Sequence, residues 1–199
     1  RLLREGPYLA DTCRVLYISP LRALANDIAI NVERPLAEWS ALDPFLPRLR
    51  VLVRTGDTDP AARQAMAKKP PHVLATTPES LGILLTSASG QRMLGTVDTV
   101  IVDEIHAVAG SKRGAHLALS LARLDDLRAH AGVGPVQRIG LSATQKPLDR
   151  MAQLLAGTGR PCTVVDIGHQ RAVDLDVWTP SSELSAVCSA TIWGEYVEQ

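Results

Sequence analysis

Val100-Ile101-Val102-Asp103-Glu104-Ile105-His106 is the stretch on which the reading of this chain turns. The β-branched run Val100 to Val102 reads as a buried strand. Two adjacent carboxylates follow it directly. At the end of a buried strand such a pair is costly unless it is partnered or serves chemistry.

Short β-rich runs alternate with longer helical patterns on both sides of this stretch. Val15 to Ile18 predicts a strand, followed by a helix from Leu21 to about Trp39. Val51 to Val53 predicts a second strand, with Ala61 to Ala67 helical after it. Val73 to Ala75 is a third, with Ser80 to Leu85 after it. The strand at Val100 leads to a helix from about Ala115 to Leu127. Ile139 to Leu141 leads to Leu148–Leu155, and Val164-Val165 reads as a sixth strand. Strands that are apolar throughout, rather than alternating, predict an α/β fold with a parallel sheet covered on both faces. Val173 to Trp178 alternates with period two, Thr179 to Ser182 reads as a linker, and Glu183 to Gln199 as a short amphipathic segment. Arg1 to Pro7 reads as the tail of a helix ending at Gly6-Pro7, as if the chain began inside a fold.

The composition narrows the function classes. Aromatic residues make up 4% of the chain, so its core must be aliphatic. Twenty-one basic and 21 acidic residues cancel, so any nucleic-acid surface must be local. Cys13, Cys162 and Cys188 are odd in number and widely spaced, which argues against a zinc site or a disulfide framework and for buried thiols in a reducing cytosol. No apolar run reaches the ~18 residues of a membrane span.

Ligands of open parallel sheets bind beyond the carboxyl ends of the strands, so the residues there carry most information. Ser19-Pro20-Leu21-Arg22 and Thr77-Pro78-Glu79-Ser80 each place a hydroxyl residue and then Pro at a helix start. The hydroxyl suits the N-cap, Pro the first helical position, and the free amides beyond suit phosphate. Each string is equally a plain helix cap. Thr55-Gly56-Asp57 reads as a turn. Ser142-Ala143-Thr144 places small hydroxyl residues beside the acid pair, and His106 is placed either as a surface histidine or as a contact to Ser142 and Thr144. His72, His116, His130 and His169 show no metal-binding spacing and read as structural.

Taken in order, Pro20-Leu21-Arg22-Ala23-Leu24, Thr55-Gly56, Thr77-Pro78-Glu79, Asp103-Glu104-Ile105-His106 and Ser142-Ala143-Thr144 resemble the first RecA-like domain of superfamily 2 DEAD/DEAH-box helicases, from motif Ia through motif III. Within that group the chain is most similar to the Lhr (large helicase-related) family, through Ser111 to Leu121, Gly140 to Pro147 and Val165 to Arg171. The resemblance implies a P-loop NTPase that uses ATP and Mg²⁺. Asp103 would hold Mg²⁺ through water, and Glu104 would be the catalytic base or orient the water. His106, Ser142, Ala143 and Thr144 would couple nucleotide state to grip. Pro20, Leu21, Arg22, Thr55, Gly56, Thr77, Pro78 and Glu79 would line a track for single-stranded or partially duplex DNA, with Arg22 and Arg113 adding phosphate contacts.

The resemblance also implies what to look for and not find. The phosphate-cradling pattern G-x-x-x-x-G-K-[ST] occurs nowhere in the 199 residues, and neither do the motifs of a second RecA-like domain. The expected organisation is therefore a truncated RecA-like domain over 1–166, an exit strand and linker over 167–182, and the start of a second RecA-like domain over 183–199. The Walker A segment and that second domain would be partners supplied by a longer parent. The P-loop strand is expected near the Asp-Glu strand, and a partial sheet without it would either leave unpaired backbone or close up. The implied function is a piece of an ATP-dependent DNA helicase, cytoplasmic and acting in repair. The alternatives are a non-catalytic single-strand-binding remnant and another superfamily 2 translocase, such as an RNA helicase.

Overall fold

A computed structural model describes residues 2–3, 9–43, 45–143 and 147–166. The chain divides into a unit Arg1–Val164 and a unit Val165–Gln199. The readings placed on residues 4–8, Thr144, 167–182 and 183–199, together with His169 and Cys188, lie outside the described residues.

The elements are β1 (Val15–Ile18), α1 (Arg22–Leu42), β2 (Val51–Arg54), α2 (Pro60–Lys68), β3 (Val73–Thr76), α3 (Pro78–Thr86), α4 (Ala88–Leu94), β4 (Thr99–Val102), α5 (Lys112–His130), β5 (Gln137–Gly140) and α6 (Leu148–Ala156). The five strands form one sheet in the order β2-β3-β1-β4-β5, and every pairing is parallel. The fold is α/β, as the alternation predicts.

Period-two alternation sorts the core onto two faces. Leu16, Ile18, Leu74, Val100 and Val102 join the larger cluster with Met66, Leu81, Leu94, Leu117, Leu121 and Leu155 from the helices. Tyr17 and Ala75 point the other way, onto Ala25 and Ile28 of α1. Tyr17 is the one aromatic side chain in either cluster, so the core is aliphatic as composition requires.

Local signals account for most helix starts. Asp59 caps α2 ahead of Pro60, Thr77 caps α3 ahead of Pro78, and the Ser111 hydroxyl accepts from Gly114 N–H at the start of α5. Gly114 is required there, because a Cβ would lie 2.4 Å from the Val108 carbonyl oxygen. Ser87 caps α4, a helix the sequence reading did not anticipate. Its seven residues are too few for a clear 3.6-residue period.

Three expectations need correction. Cys162 is exposed rather than a buried thiol, although Cys13 is buried. Ser19 is not a cap. Its amide still bonds to Thr76 O in the sheet, its side chain is fully buried, and α1 begins with Leu21 as N-cap and no side-chain cap bond. Of the two outcomes expected around the Asp-Glu strand, the closed sheet is found: β1 and β5 flank β4 on its two sides, and the open edges are β2 and, on the Asp-Glu side, β5. That edge strand is correspondingly exposed, with Ile139 at 38% and Leu141 beyond it at 46%. Val164 and Val165 form no strand; they are exposed, without ladder bonds to β5. A two-residue valine run lacking a neighbouring strand leaves its backbone to water.

The amino ends of β1, β2 and β3 meet at His72, whose carbonyl accepts from Arg14 and Val15 and whose amide donates to Arg50 O. Its imidazole is 2% exposed. Nδ1 accepts the Arg50 amide at 2.9 Å, so the neutral ring is the form that fits. Burial, aided by the Arg50 charge and opposed by Asp11, pushes the His72 pKa below its ordinary 6.5. Because the folded-state value is the lower one, this stability is present above 6.5 and is lost as pH falls through the lowered value. The expected outcome is a denaturation midpoint that drops between about pH 7 and about pH 5, with a shallower drop in His72→Gln, whose amide oxygen accepts the same bond without titrating. Equal slopes for the two proteins would remove His72 as the cause.

Candidate functional site

All five strands end at one edge of the sheet, and the residues singled out from the sequence follow those ends. They fall into two groups. One follows β1, β2 and β3. The other follows β4 and β5.

In the first group, Thr77 and Pro78 start α3, and Glu79 lies in its first turn. Thr55 is buried, and its amide donates to Thr58 Oγ1 to close the turn through Gly56 and Asp57. Arg22 crosses from α1 to pair with Asp57. Its guanidinium also passes Gly56, where a Cβ would lie 3.5 Å from Nη2. Leu21 is 58% exposed, an apolar side chain held in water beside these polar groups. Arg113 reaches in from α5, donating to Glu79 Oε1 at 2.6 Å and to Pro20 O at 2.8 Å. That hydrogen bond is the main cause that holds the Glu79 carboxyl below the usual range, and it raises the Arg113 pKa in return. Arg113 thus joins the ends of β1 and β3 to the helix that follows the acid pair.

In the second group, Asp103 N–H donates to Ile18 O at 2.8 Å, and Ile105 N–H donates to Leu141 O at 3.0 Å. Between these bonds Glu104 adopts φ 45°, ψ 43°, and it is the one non-glycine residue with positive φ among those described. Such a conformation costs roughly 1–2 kcal/mol for an L-residue. The buried side chain of Ile105 and a 3-10 turn over Ile105–Ala107 hold it there. The turn projects Glu104 and His106 away from the sheet, leaving their side chains 42% and 23% exposed.

Both oxygens of Asp103 are engaged. Tyr17 Oη donates to Oδ2 at 2.6 Å, and Glu104 N–H donates to Oδ1 at 2.9 Å. Burial first, and then the Asp103 hydrogen bond, push the Tyr17 pKa up, so the phenol keeps its proton. Tyr17 carries no signal in sequence, since it reads as one more apolar strand residue. Asp57, the partner of Arg22, was likewise missed.

His106 Nδ1 meets three groups: Glu104 Oε2 at 3.2 Å, the Ala143 amide at 3.3 Å and Ser142 Oγ at 3.4 Å. One nitrogen serves the carboxylate only as N–H and the amide only as a lone pair. Its proton therefore decides whether His106 joins Glu104 or the loop after β5.

No group of three His, Cys, Asp or Glu residues among those described could enclose a metal ion. The residues do fit Mg²⁺ bound together with phosphates. That ion keeps several waters and takes one or two carboxylates, and each Asp103 oxygen has a second lone pair free. An open groove of about 750 Å³ between α5 and α6 meets this site at His106, but no carboxylate lines it.

The DEAD/DEAH box helicase family model matches residues 4–151. The ATP-dependent helicase Lhr-Core of Methanothermobacter thermautotrophicus is 46% identical over 193 residues, which cover 94% of this chain and 22% of that protein. The Lhr helicase/probable uracil glycosylase of Mycolicibacterium smegmatis is 47% identical over 204 residues, covering 96% of this chain and 13% of that one. In solved structures, Mycobacterium smegmatis helicase Lhr bound to ssDNA and AMP-PNP superposes with a TM-score of 0.75 at 45% identity, over 94% of this chain and 24% of that one. The chain thus spans a quarter or less of the length of these relatives. With helicase motifs in order at the ends of a parallel RecA-like sheet, and with the family model matched from residue 4 to residue 151, the chain belongs to the DEAD/DEAH box helicase family and is homologous to the Lhr helicases.

Proposed function

We propose that this chain is the part of an ATP-dependent DNA helicase in which nucleotide state is coupled to the grip on a single strand. The observation that carries the reading is the Asp103–Glu104 turn, whose His106 reaches the loop after β5 while the next helix reaches Pro20 and Glu79 through Arg113. The family match and the relative solved with ssDNA and AMP-PNP support it. We further read the parent as a cytoplasmic protein of DNA repair, whose phosphate-cradling loop and second RecA-like domain lie outside this chain.

On this reading Asp103 would hold Mg²⁺ through water, and Glu104 would be the catalytic base or the residue that orients the attacking water. Bound Mg²⁺ supplies charge neutralisation at the phosphate oxygens. His106, with Ser142, Ala143 and Thr144, registers whether Glu104 is engaged. Pro20, Leu21, Arg22, Thr55, Gly56, Thr77, Pro78 and Glu79 track the sugar-phosphate backbone, so binding is sequence-tolerant and salt-sensitive.

In the full-length protein Glu104→Gln is expected to abolish ATP hydrolysis and strand unwinding while leaving nucleotide binding intact. Retained unwinding would overturn the role of Glu104. The 199-residue chain alone carries no G-x-x-x-x-G-K-[ST] string and should give no hydrolysis in a single-turnover assay. Hydrolysis that Glu104→Gln removes would contradict that. Arg22→Ala should lower the slope of log affinity against log salt for single-stranded DNA by about 0.7. An unchanged slope would take Arg22 off the track, and tighter binding of RNA in the same titration would replace the DNA reading with an RNA helicase.

A further inference from the structure

Tyr17 sits in β1 opposite Ile101 of β4, and Asp103 follows two residues later on the same face. Diagonal neighbours on adjacent strands lie beyond the reach of short side chains but within that of an aromatic one. The ring is 8% exposed and packs with Ala25, Ala75, Ile28, Val53 and Ile101. Leucine or valine would fill part of that space without a donor, and phenylalanine would fill the ring's share of it. Tyrosine adds a hydroxyl whose single proton goes to Asp103 Oδ2.

The second anchor is the Glu104 amide on Oδ1, available because Glu104 takes the left-handed conformation. Two donors on two oxygens fix both the position and the plane of the carboxylate. What remains is one lone pair on each oxygen.

We propose that Tyr17 is a positioning residue for the cation-holding carboxylate: with its ring locked between β1 and α1, it fixes the position and plane of Asp103 so that the remaining lone pairs face the side where Mg²⁺ would be held. This rests on the role given to Asp103 above. The residue acts from inside the sheet and touches neither nucleotide nor cation. Its effect is confined to the part of nucleotide affinity that depends on the cation.

The test is equilibrium binding of AMP-PNP to the full-length protein, in Mg²⁺ and in EDTA. Tyr17→Phe keeps the ring and removes the donor. The expected result is unchanged affinity in EDTA and a Mg²⁺-dependent gain smaller by roughly 10-fold. ATP turnover should then need correspondingly more Mg²⁺ for half-saturation. A gain equal to that of the unaltered protein would overturn the inference. So would a loss seen only in Tyr17→Leu, which would make Tyr17 a packing residue alone. Asp103→Ala separates the two levels. If Asp103→Ala abolishes the gain and Tyr17→Phe keeps it, the inference fails and the reading of Asp103 stands. If Asp103→Ala keeps the gain, that reading fails and the inference falls with it.

Discussion

Two backbone bonds govern the site. Asp103 N–H is held by Ile18 of β1, and Ile105 N–H by Leu141 beyond β5. The chain passes from one neighbouring strand to the other within two residues, and Glu104 makes that passage in a left-handed conformation. Burial of Ile105 offsets the conformational cost, because its side chain completes the cluster formed with Val102, Val108 and Leu117. The same turn supplies the amide that orients Asp103, throws Glu104 outward and sets His106 against the β5 loop. A different register of β4 against either neighbour would undo all of these together.

The charges at the strand ends are matched locally, which suits a chain with no net charge. Arg22 meets Asp57, Arg113 meets Glu79, and Asp103 meets a phenol and an amide. Arg113 is one side chain that spans the two halves, because α5 begins past the acid pair and its first turn faces Pro20 and Glu79. Displacement of the turn after β4 is therefore felt at the end of β1 through Ile18, Tyr17 and Arg113, and at the end of β3 through Arg113. The exposed ion pairs contribute little stability, at most about 1 kcal/mol each. Their value lies in orientation.

What could be read from sequence was local. The alternation of strands and helices, the cap at Thr77-Pro78 and the acid pair after Val102 are each written within a few residues, where periodicity, capping and desolvation act. The errors were local signals overridden by pairing. Ser19 resembles the cap at Thr77, yet its backbone stays in the sheet and the helix begins after Leu21. Val164-Val165 has strand composition but no neighbouring strand among the described residues.

By itself the sequence determined the fold class, the order of the motifs and the acids at the end of β4, because these depend on patterns shorter than one element. The tertiary structure alone decided which side chains meet. Tyr17 finds Asp103 across 86 positions, and Arg113 finds Pro20 across 93. Those contacts exist only once parallel pairing has placed β1 between β3 and β4 and brought α5 back over the sheet. Strand register and crossover geometry are set by burial summed over the whole core, and no short stretch of the chain encodes that sum.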